Sequence, residues 1–405
     1  MAIDHTFPPR DAGAADALLE GLDPDQLEAV TSEAAPLCIL AGAGSGKTRV
    51  LTRRIAHRVA TGSAQAAHVL ALTFTRRAAG ELVRRLAELG VRPRVAAGTF
   101  HGVAYASLRR RWADRGQQPP VLLEHKGRLL GSLFRGGSPG SVPPRSAGWV
   151  RGRSAGAEVA PADIAGEIEW AKARMVPPDA YAAAVTAAGR RPPLPAGVVA
   201  DLYGRYEHEK RRRNLVDFDD LVVLCAEALE TDTEFAATQR WRFRHLFVDE
   251  FQDVNPAQFR LLEGWRGGRP DLCVVGDPDQ AIYAWNGADP SYLTAFPRRL
   301  PGAGVIRLAR TYRSSPQVVA VANAVLAGHR APGAAELRPT RADGAVPTVT
   351  AWATGGEEAA GVARALRRQH ACGRAWSELA VLARTRAQLV AFEEALHAAA
   401  VPCRV

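Results

Sequence analysis

The sequence predicts an α/β protein: a parallel sheet carrying a mostly helical insertion, followed by part of a second domain of the same class. Three observations predict it. Short apolar runs of strand length alternate with helix-length amphipathic segments in two separate stretches. Several of these runs end in a polar or glycine-containing loop, as strands of a parallel sheet do when a ligand sits at their C-terminal ends. A long interval then separates the first three runs from the next two, too long for the connections of a single sheet.

In chain order, the first stretch contributes strands at 37–40, 69–72, 95–99, 246–248 and 272–275. The second contributes 305–308, 348–351 and 379–382, each followed by a helix-length segment, and the turn Pro301-Gly302-Ala303-Gly304 marks its start. The expected domains are therefore 1–102 with 243–301, an inserted helical domain over 103–242, and an incomplete second α/β domain over 302–405. Within the insertion, residues 135–156 are rich in Gly, Ser, Pro and Arg with few apolar anchors, and read as a mobile loop.

A chain of 405 residues has room for two or three such domains, and its 47% hydrophobic content suits a globular protein. No stretch approaches the roughly 18 uninterrupted apolar residues of a membrane span, and residues 1–21 have neither a signal-peptide nor a transit-peptide pattern. The five cysteines (Cys38, Cys225, Cys273, Cys372, Cys403) are scattered, and three lie in apolar runs, where they pack as small hydrophobes. A reduced, cytoplasmic protein is the expectation. The net charge is +10. A solvated basic surface, or an arginine-favouring coding bias, explains part of it, since only Lys47, Lys126, Lys172 and Lys210 are lysine. Yet the arginines cluster, as in Arg76-Arg77, Arg84-Arg85, Arg109-Arg110-Arg111 and Arg211-Arg212-Arg213, which favours a nucleic-acid partner.

Two motifs carry the chemistry. Ala41-Gly42-Ala43-Gly44-Ser45-Gly46-Lys47-Thr48 lies between the apolar run Leu37-Cys38-Ile39-Leu40 and a helical segment opening at Arg49. Its glycines let consecutive backbone N–H groups close around phosphate oxygens, Lys47 brings a point charge to the terminal phosphates, and the Thr48 hydroxyl reaches Mg²⁺. Ala41 stands where the strict pattern has glycine, at a position that needs only a small side chain. The second motif is Val248-Asp249-Glu250-Phe251-Gln252-Asp253, at the end of the run Leu246-Phe247-Val248. Asp249 is placed to hold the metal and Glu250 to orient and deprotonate an attacking water. Together the motifs supply most of what an ATP hydrolase needs, with ATP and Mg²⁺ as its cofactors.

From about Leu22 to Val405 the chain also resembles superfamily 1 helicases of the UvrD/Rep/PcrA type, whose motifs recur here in order. The resemblance implies RecA-like motor domains. It implies adenine sensing by Gln26 in Leu22-Asp23-Pro24-Asp25-Gln26, and DNA contact by Phe74 and Arg77 in Leu72-Thr73-Phe74-Thr75-Arg76-Arg77, where Asn-Lys is more usual than Arg-Arg. Thr99 and His101 in Gly98-Thr99-Phe100-His101-Gly102, and Phe218 in Asp217-Phe218-Asp219-Asp220, fall at further DNA-side motifs. Gly276-Asp277-Pro278-Asp279-Gln280-Ala281-Ile282-Tyr283-Ala284-Trp285 resembles the coupling motif, with Gln280 sensing the γ-phosphate and Tyr283 and Trp285 stacking on bases. Asn286 stands where the family more often has arginine. Tyr283 and Trp285 are two apart, so an extended segment would point both to one side, where core packing is the competing explanation. In Arg310-Thr311-Tyr312-Arg313, the resemblance implies that Tyr312 stacks on adenine and Arg313 reaches the γ-phosphate.

The family's fifth and sixth motifs have no counterpart in this sequence, so it looks like an amino-terminal portion of such a helicase. Three readings stay open: a 3′-to-5′ DNA helicase and single-strand translocase, an ATP- and DNA-binding fragment without motor activity, or the motor part of a helicase–nuclease subunit. The expected partners are single-stranded DNA and duplex junctions, with repair or replication proteins possible and no membrane.

Overall fold

The computed structural model describes residues 12–92, 95–135, 150–151 and 158–404, and the chain separates into two compact units, Met1–Gly344 and Ala345–Val405. In the first unit β1 (Leu37–Ala41), β2 (Val69–Thr73), β3 (Ala96–Thr99), β4 (His245–Val248), β5 (Leu272–Gly276) and β6 (Gly304–Leu308) form one sheet. They stand in the order β6-β1-β5-β4-β2-β3, with every neighbouring pair parallel. β1, β2 and β5 are buried throughout, which is why they read as unbroken apolar runs. Successive side chains alternate between faces: Leu37, Ile39 and Ala41 enter one core, Cys38 and Leu40 the other.

Both faces are covered. α1 (Pro24–Thr31), α2 (Lys47–Ala60) and α3 (Arg76–Glu88) close the first through Val30, Leu51, Ile55, Leu82 and Leu86. α4 (Phe100–Asp114) begins the second with Phe100, Ala104 and Leu108. The chain then leaves the sheet for α5 (Lys126–Arg135), α6 (Pro161–Ala173), α7 (Tyr181–Ala187) and α8 (Ala196–Arg212), which close around a core of their own that includes Leu130, Ile168, Tyr181 and Tyr206. It returns as α9 (Phe218–Thr231), α10 (Thr233–Arg242) and α11 (Pro256–Arg266), laying Leu221, Cys225, Phe235 and Trp265 beside α4. This is the fold of a RecA-like motor domain with a helical insertion. The body with its own core is narrower than 103–242, because α4, α9 and α10 are needed to cover the sheet. Most of the loop expected over 135–156 lies outside the described residues.

Buried charge fastens the insertion to α9. Asp217, fully buried, caps α9 by accepting from the Asp220 N–H at 3.0 Å. It also accepts from Lys172 Nζ at 2.8 and 2.9 Å, Lys210 Nζ at 3.1 Å and the Tyr206 hydroxyl at 2.9 Å. Burial alone would raise the Asp217 pKa; the ammonium groups of Lys172, Lys126 and Lys210 outweigh it and hold the carboxyl well below its usual range. Glu207, Asp217 and Asp220 converge closely enough to suit a metal ion, but Lys172 and Lys210 already pair with all three, so the cluster is an ion-pair clamp.

Two expectations for the second domain are corrected. Residues 305–308 do form a strand, but β6 pairs with β1 and extends the first sheet. α12 (Pro316–Leu326) follows it within the same compact unit. Residues 348–351 and 379–382 form no strand. A strand is held by ladder hydrogen bonds to a neighbour, and among the described residues neither segment has one; Val349 is fully exposed and Leu382 nearly so. The second unit, taken by itself, is the helix pair α13 (Gly355–Ala371) and α14 (Arg386–Ala398), joined through Ala363, Leu396 and Val401.

Candidate nucleotide site and nucleic-acid cleft

The loop between β1 and α2 is built for close approach. Gly44 and Gly46 have φ of 75° and 87°, where only glycine is unstrained. A Cβ on Gly44 would lie 2.6 Å from both Arg313 Cβ and Thr311 Oγ1. The Ser45 hydroxyl donates to Gly42 O at 2.8 Å and folds the loop back on itself. α2 opens at Lys47, so its free N–H groups and positive dipole end face the loop, an arrangement that receives anions. Lys47 Nζ is buried with no aligned hydrogen bond among the described residues and lies 3.2 Å from Glu250 Oε2. A buried ammonium with donors unfilled calls for an anionic ligand.

Four residues outside the loop are brought to it. Gln26, almost fully buried, donates from Nε2 to Ser45 O at 2.9 Å. Arg49 donates to Gly21 O at 3.0 Å. Tyr312 donates its N–H to Gly44 O at 2.9 Å and its hydroxyl to Asp23, leaving its ring partly exposed. Arg313 lies against Gly44. Thus Ala41, Gly42, Ala43, Gly44, Ser45, Gly46, Lys47 and Thr48 run along one strand–loop–helix unit, with Gln26, Arg49, Tyr312 and Arg313 gathered around it.

Because β5 stands between β1 and β4, the loops after these three strands share a corner. Glu250 has φ 51°, a conformation that costs a non-glycine residue about 1–3 kcal/mol and gathers at functional sites. Its N–H donates to Asp249 Oδ1 at 3.0 Å. Gln252 bridges the corner: Nε2 donates to Glu250 Oε2 at 2.8 Å, and Oε1 accepts the Asp277 N–H at 2.9 Å. Gln280 in turn donates to the Asp277 carboxylate. Burial first, and the Glu250 charge second, push Asp249 up to about 6 and Asp253 up to about 7. Burial also raises Asp277. Crowded carboxylates with one ammonium among them suit a divalent cation, and the oxygens of Thr48 and Asp249 have the hard-ligand chemistry Mg²⁺ prefers.

A second corner forms where β2 and β3 end beside the insertion. A cavity of about 960 Å³ is lined by Phe74, Arg76, Thr99 and His101 from the motor domain, with Lys126, Glu169, Phe218 and Asp219 facing them. A smaller one of about 320 Å³ shares Phe74, Thr99 and His101 and adds Asp253, Tyr283 and Asn286. Burial holds the His101 imidazole below its ordinary pKa. The structure therefore gathers Phe74, Thr99, His101, Phe218 and Tyr283. Arg77 is exposed in the first turn of α3, outside both cavities, and Arg76 takes the cavity wall instead. Trp285 also lies outside them, 62% exposed, beside a Tyr283 that is 46% exposed; the rings are tilted, with centroids 6.3 Å apart. This exposure excludes core packing for the pair. The segment is also not extended: residues 284–286 form a 3₁₀ turn, and both rings face outward.

Gln252, Asp253 and Asp277 lie within motifs that gave them no role; the bridging by Gln252 and Asp277, and the place of Asp253 on the wall of the smaller cavity, appear only in three dimensions. Lys126 and Glu169 belong to no motif and carried no local signal.

A glycine loop between a buried strand and a helix, beside an acidic strand end and a polar turn that joins them, defines a P-loop nucleotide-binding motor domain. Comparison with known proteins narrows this: the chain belongs to the UvrD/REP helicase family, and residues 22–301 match its N-terminal domain. It is 44% identical over 405 aligned positions to the ATP-dependent DNA helicase UvrD2 of Mycobacterium tuberculosis, covering 97% of this chain and 56% of that protein. It is 36% identical to the ATP-dependent DNA helicase UvrD1 of Mycobacterium leprae (80% and 41% covered). It is 31% identical to the putative ATP-dependent DNA helicase YjcD of Bacillus subtilis (94% and 48% covered). The chain thus spans about half the length of the curated relatives it matches. No helix among the described residues is long and apolar enough to cross a membrane.

Proposed function

We propose that this chain is the ATP-binding and single-stranded-DNA-binding part of a 3′-to-5′ DNA helicase, an ATP-driven translocase acting at duplex junctions. The observation that carries the reading is the unbroken contact path Lys47–Glu250–Gln252–Asp277–Gln280 joining the three strand ends. In this reading the loop 41–48 binds the triphosphate, Gln26 and Arg49 brace it, and Tyr312 stacks on the adenine. Thr48 and Asp249 would hold Mg²⁺, which when bound neutralises charge on the terminal phosphates. Glu250 takes the proton of the attacking water, Gln280 senses the γ-phosphate through Asp277, and Arg313 stabilises the charge that develops as the phosphoryl group transfers. Phe74, Arg77, Thr99, His101, Phe218, Tyr283 and Trp285 contact DNA. The motor domain proper comprises about 12–120 and 217–344, the insertion 121–216, and 345–405 opens a second motor domain.

Lys47→Ala tests the site: ATP affinity measured by calorimetry is expected to vanish, and unchanged affinity would refute the assignment. Because the chain spans about half the length of these relatives, we infer a second reading for the chain by itself. It binds ATP and DNA, hydrolyses slowly and does not unwind: the resemblance places a second γ-phosphate arginine in the fifth and sixth motifs, which have no counterpart in this sequence, and losing one charge-neutralising arginine costs about 10³–10⁵ in rate. Processive unwinding by the purified 405-residue chain would overturn that reading.

A further inference from the structure

The turn that presents Tyr283 and Trp285 is held from outside the motor domain. Arg190, in the segment joining α7 to α8, donates from Nη1 to Trp285 O at 2.9 Å. The same guanidinium grips Glu167 of α6 with two bonds, Nε to Oε2 at 2.9 Å and Nη2 to Oε1 at 3.0 Å, and lies 5.0 Å from the Trp170 ring centroid. Glu167 is buried and also accepts from the Tyr181 hydroxyl at 2.6 Å. The guanidinium is thus fixed on one edge by a carboxylate that is itself fixed, on one face by an indole, and on its remaining edge by a single carbonyl of the motor domain. Immediately beyond that carbonyl, Gly287 (φ 94°) brings the turn against α6: a Cβ there would lie 2.6 Å from Ala173 Cβ.

We propose that Arg190 is a positioning residue that lets the helical insertion set the orientation of the Tyr283–Trp285 stacking surface, so that affinity for single-stranded DNA depends on how the insertion is seated. The inference rests on the reading that these two rings stack on bases. Only the planar fork of an arginine can hold a carboxylate with two bonds, stack on indole and still present a donor to a carbonyl. The two rings pack on no neighbouring core and are exposed, so their orientation is inherited from the backbone of the turn. That backbone has its own bonds, Asn286 N–H to Tyr283 O at 2.9 Å and Gly287 N–H to Ala284 O at 3.1 Å. These fix the turn's shape; its far end is tied to the motor domain by the Asp289 N–H bond to Val254 O at 3.0 Å, and the bond from Arg190 ties the Trp285 carbonyl itself to the insertion.

The test measures binding of a fluorescent oligo-dT to the whole chain by anisotropy, with ATP affinity and thermal unfolding recorded for every variant. Arg190→Ala and Arg190→Lys are both expected to weaken oligo-dT binding about tenfold, the scale of one lost charge-assisted hydrogen bond, with ATP affinity at the parent value. In a Trp285→Ala background the Arg190 substitutions are expected to add less than about twofold, because the two residues act as one unit. Arg190→Lys separates positioning from structure: it keeps a cation against buried Glu167 and so keeps the fold, but loses the fork. If Trp285→Ala weakens binding while Arg190→Lys binds as the parent does, Arg190 serves only Glu167 and the proposal is wrong, with base stacking intact. If Trp285→Ala itself leaves oligo-dT affinity unchanged, the stacking reading fails and the proposal falls with it. Should Arg190→Ala not fold, Arg190→Lys and Glu167→Gln decide the matter, the latter expected to weaken DNA binding in the same way.

Discussion

The two corners of the motor sheet use opposite physical strategies. Where β1, β5 and β4 end, charge is buried: Asp249, Gln252 and Asp277 are almost inaccessible, and hydrogen bonds link Asp249 through Glu250 to Gln252, and Gln252 to Asp277. Where β2 and β3 end, the site is open: Phe218 lines the wide cavity and Tyr283 the smaller one, both substantially exposed, and Trp285 stands exposed beside Tyr283. Phosphoryl transfer needs preorganised charge out of water, where it acts most strongly and does not reorganise. A ligand that must slide needs an open, sequence-tolerant surface. One short segment serves both corners. Gln252 faces the buried network, and its neighbour Asp253 lines the smaller cavity beside Tyr283.

The largest expected effect tests whether the corners are separable. Glu250→Gln should lower ATP hydrolysis by about 10²–10⁴, the usual contribution of a general base, while ATP and oligo-dT still bind. Loss of oligo-dT affinity in this variant would mean that the acidic corner shapes the cleft directly. A smaller effect divides the cleft. Trp285→Ala should cost about 1–3 kcal/mol of single-strand affinity and leave the salt dependence unchanged. Arg77→Ala should instead weaken binding evenly across sequences and reduce the salt slope by about one. Titrations at several salt concentrations distinguish the two, and an unchanged slope in Arg77→Ala would remove that residue from the phosphate contacts.

Legibility in the sequence followed the same division. The buried corner was readable because its chemistry sits in contiguous motifs: the loop 41–48, the strand end at Asp249 and Glu250, and the turn at Asp277 to Gln280 are each local. Three of the strands, β1, β2 and β5, were readable for a related reason, since burial on both faces leaves an unbroken apolar run. What failed was assignment to neighbours. β6 looked like the start of a new sheet, and only its ladder with β1 shows where it belongs. The segments 348–351 and 379–382 have strand-like composition without a strand beside them. The cleft was half-readable: Phe74, Thr99, His101 and Phe218 lie in motifs, but Lys126, at the start of α5, and Arg190, in the connection between α7 and α8, lie in stretches whose local pattern says nothing of what they reach.

The smallest expected effect lies at the boundary between the corners, at Asp253. Its folded-state pKa is about 7, raised from 3.8 first by burial and then by the charge of Glu250, and its Oδ1 is buried without a partner among the described residues. The sign of the linkage follows. Below about pH 4 the carboxyl is protonated in both states and contributes no pH dependence. Between about pH 4 and pH 7 the unfolded chain has released this proton while the folded chain still holds it, so the folded state binds more protons and stability falls as pH rises. Above about pH 7 both states are ionised and the loss is complete. Asp249, pushed up to about 6, acts in the same direction and leaves part of the slope in any Asp253 variant. Asp253→Asn removes the larger share, so urea unfolding midpoints for the variant should drop less between pH 5 and pH 7.5 than those of the parent, with the variant the more stable at pH 7.5. Parallel pH profiles for the two proteins would mean that Asp253 is solvated in the folded state, and that the buried corner ends at Gln252.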